Sequence, residues 1–514
     1  MGEALSLHAR LMPDKIGARD LERAMTFARW NARACRLANA LLGLELAKGC
    51  RVAVLAYNCV EWLEIYAATA KAGLVCVPIN FRLTVPEIRY IVENCEARAL
   101  IVQDALADRA EALRDVLSHG SIIQFGSGPC PAGWRDYEGL IAAAAAIEPG
   151  VAVAGADPWM LMYTSGTTGN PKGAIRSHRG GAMLSMLTEI ELGLGRHDSA
   201  LLVMPMCHAN SLYFFGAFSY CGAAVSVYSR QSFDPEHLLA TLSAGGATFT
   251  SLVPTHYVMI LALSDTVRGR YNMDAVTKLM ISSAPARRDT KLAIMAYFRN
   301  SGLYELYGST EAGWVTMLHP DEQLTKLGSV GRECVGSGPV RLLDADGQEV
   351  ADGEVGELYS RNAYTFDGYW KLPDKTAEAF RGDYCTVGDM ARRDGDGYLY
   401  LVDRKSNMII SGGENVYPSE VETLIASHPG VRDVAVIGLE DETWGERVHA
   451  VVVPHGGQAI DEAALIDWCR DRIAGYKRPR SVSVIAEADM PRTATGKIQH
   501  RILKARLSGQ GARQ

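Results

Sequence analysis

The sequence predicts an α/β protein, with a large N-terminal domain of α/β subdomains plus a β-rich lobe over residues 1–405 and a small α+β C-terminal domain over residues 406–514. Three observations predict it. From Arg51 the chain alternates short β-branched runs with amphipathic segments, the rhythm of a parallel sheet with helices on its faces. After about Gly336 it changes to short strands punctuated by Asp-Gly turns, and beyond Arg404 about a hundred residues form a domain-sized α+β unit.

In order, RVAVLAY from Arg51 reads as a strand, Glu61 to Lys71 as a helix, LVCVPIN as a strand, Pro86 to Cys95 as a helix and ALIVQ as a strand. GSGPCPAG, Gly126 to Gly133, is turn-rich, and the alanine run Ala142 to Ala146 lacks useful periodicity, so both read as a surface connection. Alternation resumes near Trp159 and continues through GAAVSVY, Pro235 to Ser243, ATFTSLV, Arg288 to Tyr297 and LYELYG. LLDADGQEV, GEVGELYSR and RDGDGYLYLVD are strands joined by tight turns. The last unit reads as strand MIIS, helix Ser419 to Ser427, strands DVAVIGL and VHAVVV, helix Glu462 to Ile473, strand SVSVIA and a basic final helix.

With 514 residues, at least two domains and a large core are expected. Hydrophobic residues at 48% and charged residues at 22% match an ordinary globular protein. Fifty-two Lys and Arg against 59 Asp and Glu, a net charge of −7 and no basic block argue against nucleic acid as a partner. The 11 cysteines lie singly without a C-x-x-C pair, which points to a reducing compartment, with the cytoplasm as the expected location. The charged N-terminus does not read as a signal peptide. Ser199 to Ser229 contains no Asp, Glu, Lys or Arg, but Pro205, His208, Asn210, Gly216 and Gly222 interrupt it. It reads as a buried strand and helix beside a pocket, not as a membrane span.

Tyr163 to Ala174, YTSGTTGNPKGA, is the segment richest in chemistry. Gly166, Gly169 and Gly173 let successive amides turn inward as an anion nest. Thr164, Ser165, Thr167 and Thr168 add hydroxyl donors and Lys172 a mobile cation, so the segment is built to hold a polyphosphate. It is not a Walker A loop, because Lys172 follows Pro171 and precedes Gly173. Downstream, YGSTEAG from Tyr307 follows an apolar strand, so its polar side chains emerge at the carboxyl end of a sheet. There Thr310 could donate to a phosphate and Glu311 could hold Mg²⁺. The same residues also suit a strand followed by a capped helix, with Ser309 and Thr310 as N-cap candidates.

TSGTTGNPKG resembles the signature of the adenylate-forming superfamily, which contains acyl-CoA synthetases, firefly luciferase and the adenylation domains of peptide synthetases. Matches run in order from Tyr163 to Lys497, and the chain is most similar to the 4-coumarate, 4-chlorobenzoate and medium-chain fatty acid types of CoA ligase. The resemblance implies that ATP, Mg²⁺ and coenzyme A are used and that the C-terminal domain is mobile. It implies a nucleotide contact at Tyr307, a ribose-binding Asp389 in TVGDMA and a conserved Arg404 in LVDRKS. It implies a catalytic Lys497 in PRTATGKI, which would neutralise charge as pyrophosphate leaves. His208 in PMCHANS matches a gate to the acyl pocket, Trp444, Tyr476 and Arg478 match CoA-nucleotide contacts, and SGGEN with Gly412 and Gly413 matches a turn beside the pantetheine tunnel. The usual hinge residue is Asp or Lys, whereas this chain carries Ser406.

Candidate walls of the acyl pocket are Tyr213, Phe214, Ser282, Ser283, Ala284, Gly308 and Trp314. Aromatic and small residues suit a benzoate- or cinnamate-type acid first and a medium-chain fatty acid beside it; Arg287 and Arg288 keep a dicarboxylate open. The expected function is therefore ATP-dependent acyl-CoA ligation, with a small carboxylic acid and CoA as the partners and a homodimer left open. A stand-alone adenylating enzyme that loads a carrier protein is the nearest alternative, and an inactive ATP-binding scaffold is the alternative of another class.

Overall fold

The computed structural model describes residues 2–117, 121–164, 170–282, 286–456, 459–470, 472–493 and 496–508. The chain forms two compact units, Met1–Pro339 with Ser360–Cys385, and Val340–Tyr359 with Thr386–Gln514. The sequence boundary at 405/406 thus falls inside the second unit, because the lobe strands group with the C-terminal residues.

Two large sheets organise the first unit. One runs in the order Gly368–Tyr369, Lys172–Ser177, Pro158–Thr164, Val75–Ile79, Arg51–Leu55, Ala99–Gln103, Ile122–Phe125 and Arg135–Asp136. Its centre is parallel, with Arg51–Leu55 paired to both Val75–Ile79 and Ala99–Gln103. The other sheet contains, in spatial order, Gly313–Leu318, Gly302–Ser309, Lys278–Ser282, Phe249–Leu252, Ser199–Leu202 and Ala224–Val227, with short strands at both edges.

One apolar cluster draws on both sheets, through Val52, Val54, Ala200 and Val225, and on helices Phe27–Gly43, Glu61–Ala72 and Ala209–Tyr220. Every residue of Glu61–Ala72 is buried. Burial on all sides explains why helix Ala209–Tyr220 carries no charged residue, whereas Glu61–Ala72 keeps Glu61, Glu64 and Lys71 by pairing them with Arg23, Arg33 and Glu148. The charge-free stretch accordingly folds as strand Ser199–Leu202, helix Ala209–Tyr220 and strand Ala224–Val227. Among the described residues no helix is long and apolar enough to cross a membrane.

Two sequence expectations are corrected. The alanine run is not all loop: helix Tyr137–Ala143 enters it, started by the Asp136 carboxylate accepting the Gly139 amide and held by buried Tyr137 and Ile141. YGSTEAG does not open a helix. Strand Gly302–Ser309 turns into antiparallel strand Gly313–Leu318, and Ser309 Oγ caps that turn by accepting the Ala312 amide at 2.9 Å.

In the second unit, Arg341–Leu343, Val355–Tyr359, Asp389–Arg393 and Leu399–Arg404 form an antiparallel sheet. A second sheet pairs Val431–Asp441 with Gly445–Pro454 and adds Ile409–Ser411, Glu414–Val416 and Ser481–Val484. Helices Pro418–Ile425 and Glu462–Trp468 pack on it through Val421, Ile425 and Leu465.

Candidate active site

In the first unit the phosphate-loop segment joins two strands that pair in antiparallel register, with Thr164 opposite Lys172. A strand–loop–strand hairpin is a different solution from the strand–loop–helix of a Walker A motif, which accounts for the different residue order. Ser165, Gly166, Thr167, Thr168 and Gly169 lie outside the described residues, as do Ser283 and Ala284.

Glu311 stands against this hairpin. Its side chain is buried, with the residue 7% exposed. Its Oε1 accepts from the Thr164 hydroxyl at 3.3 Å and the Tyr369 hydroxyl at 2.9 Å. Lys172 Nζ lies 4.1 Å from the centre of the Tyr369 ring, so the cation, the aromatic face and the carboxylate share one corner. The backbone around Glu311 is held from several sides. Phe366 donates its amide to Glu311 O at 2.8 Å, and Arg176 Nη1 donates to Thr310 O at 3.3 Å and Glu311 O at 3.0 Å.

This donor set fits magnesium. Among the described residues no group of three or more His, Cys, Asp or Glu could form a protein cage for a metal. One buried carboxylate beside the Thr164–Lys172 hairpin is instead an arrangement that Mg²⁺ accepts, since it is commonly held by one or two carboxylates plus substrate phosphates.

Three of the expected acyl-pocket residues, Tyr213, Phe214 and Trp314, pack together. Tyr213 and Trp314 pack edge to face at 5.2 Å, and Tyr213 donates its hydroxyl to Thr310 O at 2.9 Å. Burial pushes the Tyr213 phenol above its usual pKa, so it stays a neutral donor. Phe214 packs on Trp314 and Phe249 and is fully buried, which makes it a support for the wall. Tyr307 is buried on strand Gly302–Ser309, beside a register shift at Tyr307/Gly308. Gly308 leaves no room for a side chain: a Cβ there would lie 2.3 Å from Gly313 O. His208 directly precedes helix Ala209–Tyr220 and donates its amide to Pro205 O at 3.0 Å.

Two features escaped the sequence analysis. Buried Asn210 donates through Nδ2 to Ser251 Oγ at 3.0 Å and Ser282 Oγ at 2.9 Å, a polar link among three strand and helix ends. Arg176 is the other. No periodicity marks an arginine inside the strand KGAIRS as buried, and its polar neighbours give no signal of it.

In the second unit Asp389 and Arg404 are cross-strand partners, and Lys497 lies within their electrostatic reach. Lys497 leaves a tight turn in which Gly496 adopts φ +85°, Thr493 donates its amide to Lys497 O at 2.7 Å and Thr493 Oγ1 accepts the Lys497 amide at 3.1 Å. Desolvation lowers the lysine pKa, the Arg404 guanidinium lowers it further, and Asp389 opposes both. The residue is exposed, so its amine is open to a ligand. Ser406 is exposed in the short turn Lys405–Asn407 that follows strand Leu399–Arg404.

The residues expected to contact CoA lie in the second unit. Gly412, at φ +62°, donates its amide to Trp444 O at 2.8 Å, and a Cβ on it would press on the indole at 3.0 Å. Gly413 also has positive φ, at +84°. The guanidinium stacked on Trp444 belongs to Arg480, at 4.4 Å, and not to Arg478. Tyr476 is approached by Lys477, at 5.6 Å.

Residues 5–370 match the family model of the AMP-binding enzyme, and residues 420–497 match the AMP-binding enzyme C-terminal domain. The chain belongs to the AMP-binding enzyme family. Indoleacetate–CoA ligase of Aromatoleum aromaticum is 33% identical over 97% of this chain and 96% of its own length. Feruloyl-CoA synthase of an Amycolatopsis species is 37% identical over 95% of both chains. Among solved structures, the anthranilate CoA ligase AuaEII in complex with anthranoyl-AMP superimposes with a TM-score of 0.88 at 27% identity, covering 99% of this chain and 98% of that one. The AMP-binding enzyme fold found here is thus the adenylate-forming CoA-ligase fold that the loop signature implied.

Proposed function

We propose that this AMP-binding enzyme joins an aromatic carboxylic acid to coenzyme A in two steps. In the first, a carboxylate oxygen attacks the α-phosphorus of ATP, the bond from that phosphorus to the bridging oxygen breaks, and pyrophosphate leaves with the electron pair. The acyl-adenylate remains. In the second, the CoA sulfur attacks the acyl carbonyl carbon, the thiol proton passes to solvent, and the C–O bond to AMP breaks.

The observation that carries this reading is the Glu311 carboxylate, buried and hydroxyl-bonded at the base of the Thr164–Lys172 hairpin. Glu311 would hold Mg²⁺, which offsets charge on the triphosphate. Lys172 and the hairpin hydroxyls bind the phosphates, Asp389 accepts from the ribose hydroxyls, and Lys497 neutralises charge that develops between carboxylate and α-phosphate. Ser406, exposed in a short turn, absorbs the backbone rotation that withdraws Lys497 after adenylation and brings Gly412 and Gly413 to the thioester step. Trp444, Tyr476 and the cations near them bind the nucleotide end of CoA.

An aromatic acid is favoured because Tyr213 and Trp314 present a rigid edge-to-face pair beside Thr310, and because indoleacetate and ferulate are the acids of two relatives. His208 gates this pocket. All eleven cysteines are free thiols, which supports a reducing compartment, the cytoplasm.

The test is pyrophosphate release with MgATP against benzoates, cinnamates, arylacetates, fatty acids and dicarboxylates, each with and without CoA. CoA-dependent turnover that peaks on aromatic acids is the expected result. A fatty-acid optimum would replace the acid, pyrophosphate release indifferent to CoA would favour a carrier-protein acceptor, and silence across the panel would favour the scaffold.

A further inference from the structure

Arg176 is a buried cation that no step above uses. It sits on strand Lys172–Ser177, two residues beyond Ala174 and four beyond Lys172, so all three side chains leave the same face of the strand. The residue is 2% exposed, and no carboxylate lies within ion-pair distance of it among the described residues. Burying a guanidinium without a counter-ion is costly, and a neutral residue of similar volume would serve packing alone better. What the guanidinium meets instead is backbone: Nη1 donates to the carbonyls of both Thr310 and Glu311, at 3.3 and 3.0 Å. Its flat face lies 5.2 Å from the Tyr213 ring, and the Tyr213 hydroxyl donates to the same Thr310 carbonyl at 2.9 Å.

We propose that Arg176 is a positioning residue for the adenylation step, fixing the Thr310 and Glu311 carbonyls so that the Glu311 side chain is aimed at the phosphate hairpin. Three features make the clamp specific. Two consecutive carbonyls bound to one guanidinium set the orientation of two peptide planes, and these set the direction in which the Glu311 Cα–Cβ bond leaves the chain. One nitrogen, Nη1, reaches both carbonyls, and the rigid planar guanidinium fixes where that nitrogen sits, which an ammonium on a flexible stem does less well. Tyr213 touches both the clamp and the candidate acyl pocket, so the clamp also ties a pocket wall to the metal-holding carboxylate. The contacts of the Arg176 guanidinium are to backbone carbonyls and the Tyr213 ring. It acts through Glu311, as outer partners of metal ligands do.

The inference rests on the proposed role of Glu311, and the experiment separates the two. ATP binding is measured by calorimetry with and without Mg²⁺ for wild type, Arg176→Met, Arg176→Lys and Tyr213→Phe, alongside the Mg²⁺ dependence of pyrophosphate release. In Arg176→Met the Mg²⁺-dependent gain in ATP affinity should fall about tenfold, and half-saturating Mg²⁺ should rise by about the same factor, the lower end of the effect of outer-shell substitutions. ATP affinity without Mg²⁺ should change little, and thioester formation from supplied acyl-adenylate should be spared. Arg176→Lys, which keeps a donor, should recover part of the loss. If Arg176→Met fails to fold, Arg176→Lys and Tyr213→Phe carry the test, each expected to raise half-saturating Mg²⁺ in the same direction by a smaller factor.

An unchanged Mg²⁺ requirement in the folded variants, even with lowered melting temperature, overturns the proposal and leaves Arg176 a structural residue. Wild-type protein whose ATP binding is itself indifferent to Mg²⁺ overturns the Glu311 reading on which it stands.

Discussion

Arg404 Nε lies 3.2 Å from Asp389 Oδ1, and the two residues face each other across the hairpin formed by Asp389–Arg393 and Leu399–Arg404. This pair sets the field in which Lys497 sits, with the cation lowering its pKa and the carboxylate raising it. Charge on Lys497 is therefore adjustable from either partner.

In the proposed role Lys497 acts as a cation, and its pKa is lowered, so the rate of pyrophosphate release should fall as pH rises through a value below the ordinary lysine range. Asp389→Asn removes the one group that opposes the lowering. Its alkaline limb should shift to lower pH while KM for ATP rises about tenfold, the cost of a lost charged hydrogen bond. Rate–pH profiles at saturating ATP would check the sign; a limb that moves upward would contradict it.

Lys497→Ala should slow adenylation by about 10²- to 10³-fold, the range for deleting one preorganised charge stabiliser. Thioester formation from supplied acyl-adenylate should stay within a few fold of wild type. Comparable loss in both half-reactions would remove its assigned role.

Arg480 stacks on Trp444 at 4.4 Å, so Arg480→Ala should raise KM for CoA by about fivefold, the equivalent of a cation–π contact of about 1 kcal/mol. KM for ATP should not move. Arg478→Ala provides the comparison, since the stacked position is not its own.

Gly308 cannot carry a side chain without moving backbone, because the added Cβ would meet Gly313 O at 2.3 Å. Gly308→Ala should cost about 1–3 kcal/mol, as overpacking does, and lower the melting temperature. It should also widen the Gly308–Trp314 strand pair, which acid-dependent KM values would register.

Lys291 and Glu305 form an ion pair in which the two side chains are 0% and 4% exposed. Burial pushes the Glu305 carboxyl above its usual pKa, with Lys291 acting against that shift. Lys291→Met alone should cost about 3–5 kcal/mol by stranding a charge, whereas replacing both by apolar residues should recover most of it. Thermal melts of the single and double variants would separate these outcomes.

Much of this was legible without coordinates, because the relevant signals are local. The run RVAVLAY to ALIVQ declares strand, helix, strand, helix and strand by period alone, and the structure has these elements within one or two residues of the expected ends. YGSTEAG was less legible: Ser309 is a good cap in either reading, and only the partner strand Gly313–Leu318 decides that it caps a turn. The alanine run misled for the opposite reason, since the cap at Asp136 and the burial of Tyr137 lie before the run itself.

By itself the sequence determined the fold class, the order of elements, the phosphate-loop chemistry and the family, since each resides in residue order, period and spacing. Tertiary structure alone decided which side chains meet: Glu311 with Thr164 and Tyr369, Arg176 with two carbonyls far along the chain, Arg480 with Trp444, and the lobe strands with the C-terminal residues. Such pairings depend on sheet register and on the direction of each Cβ, where a shift of one residue exchanges the two faces of a strand, and neither is encoded within a local stretch of chain.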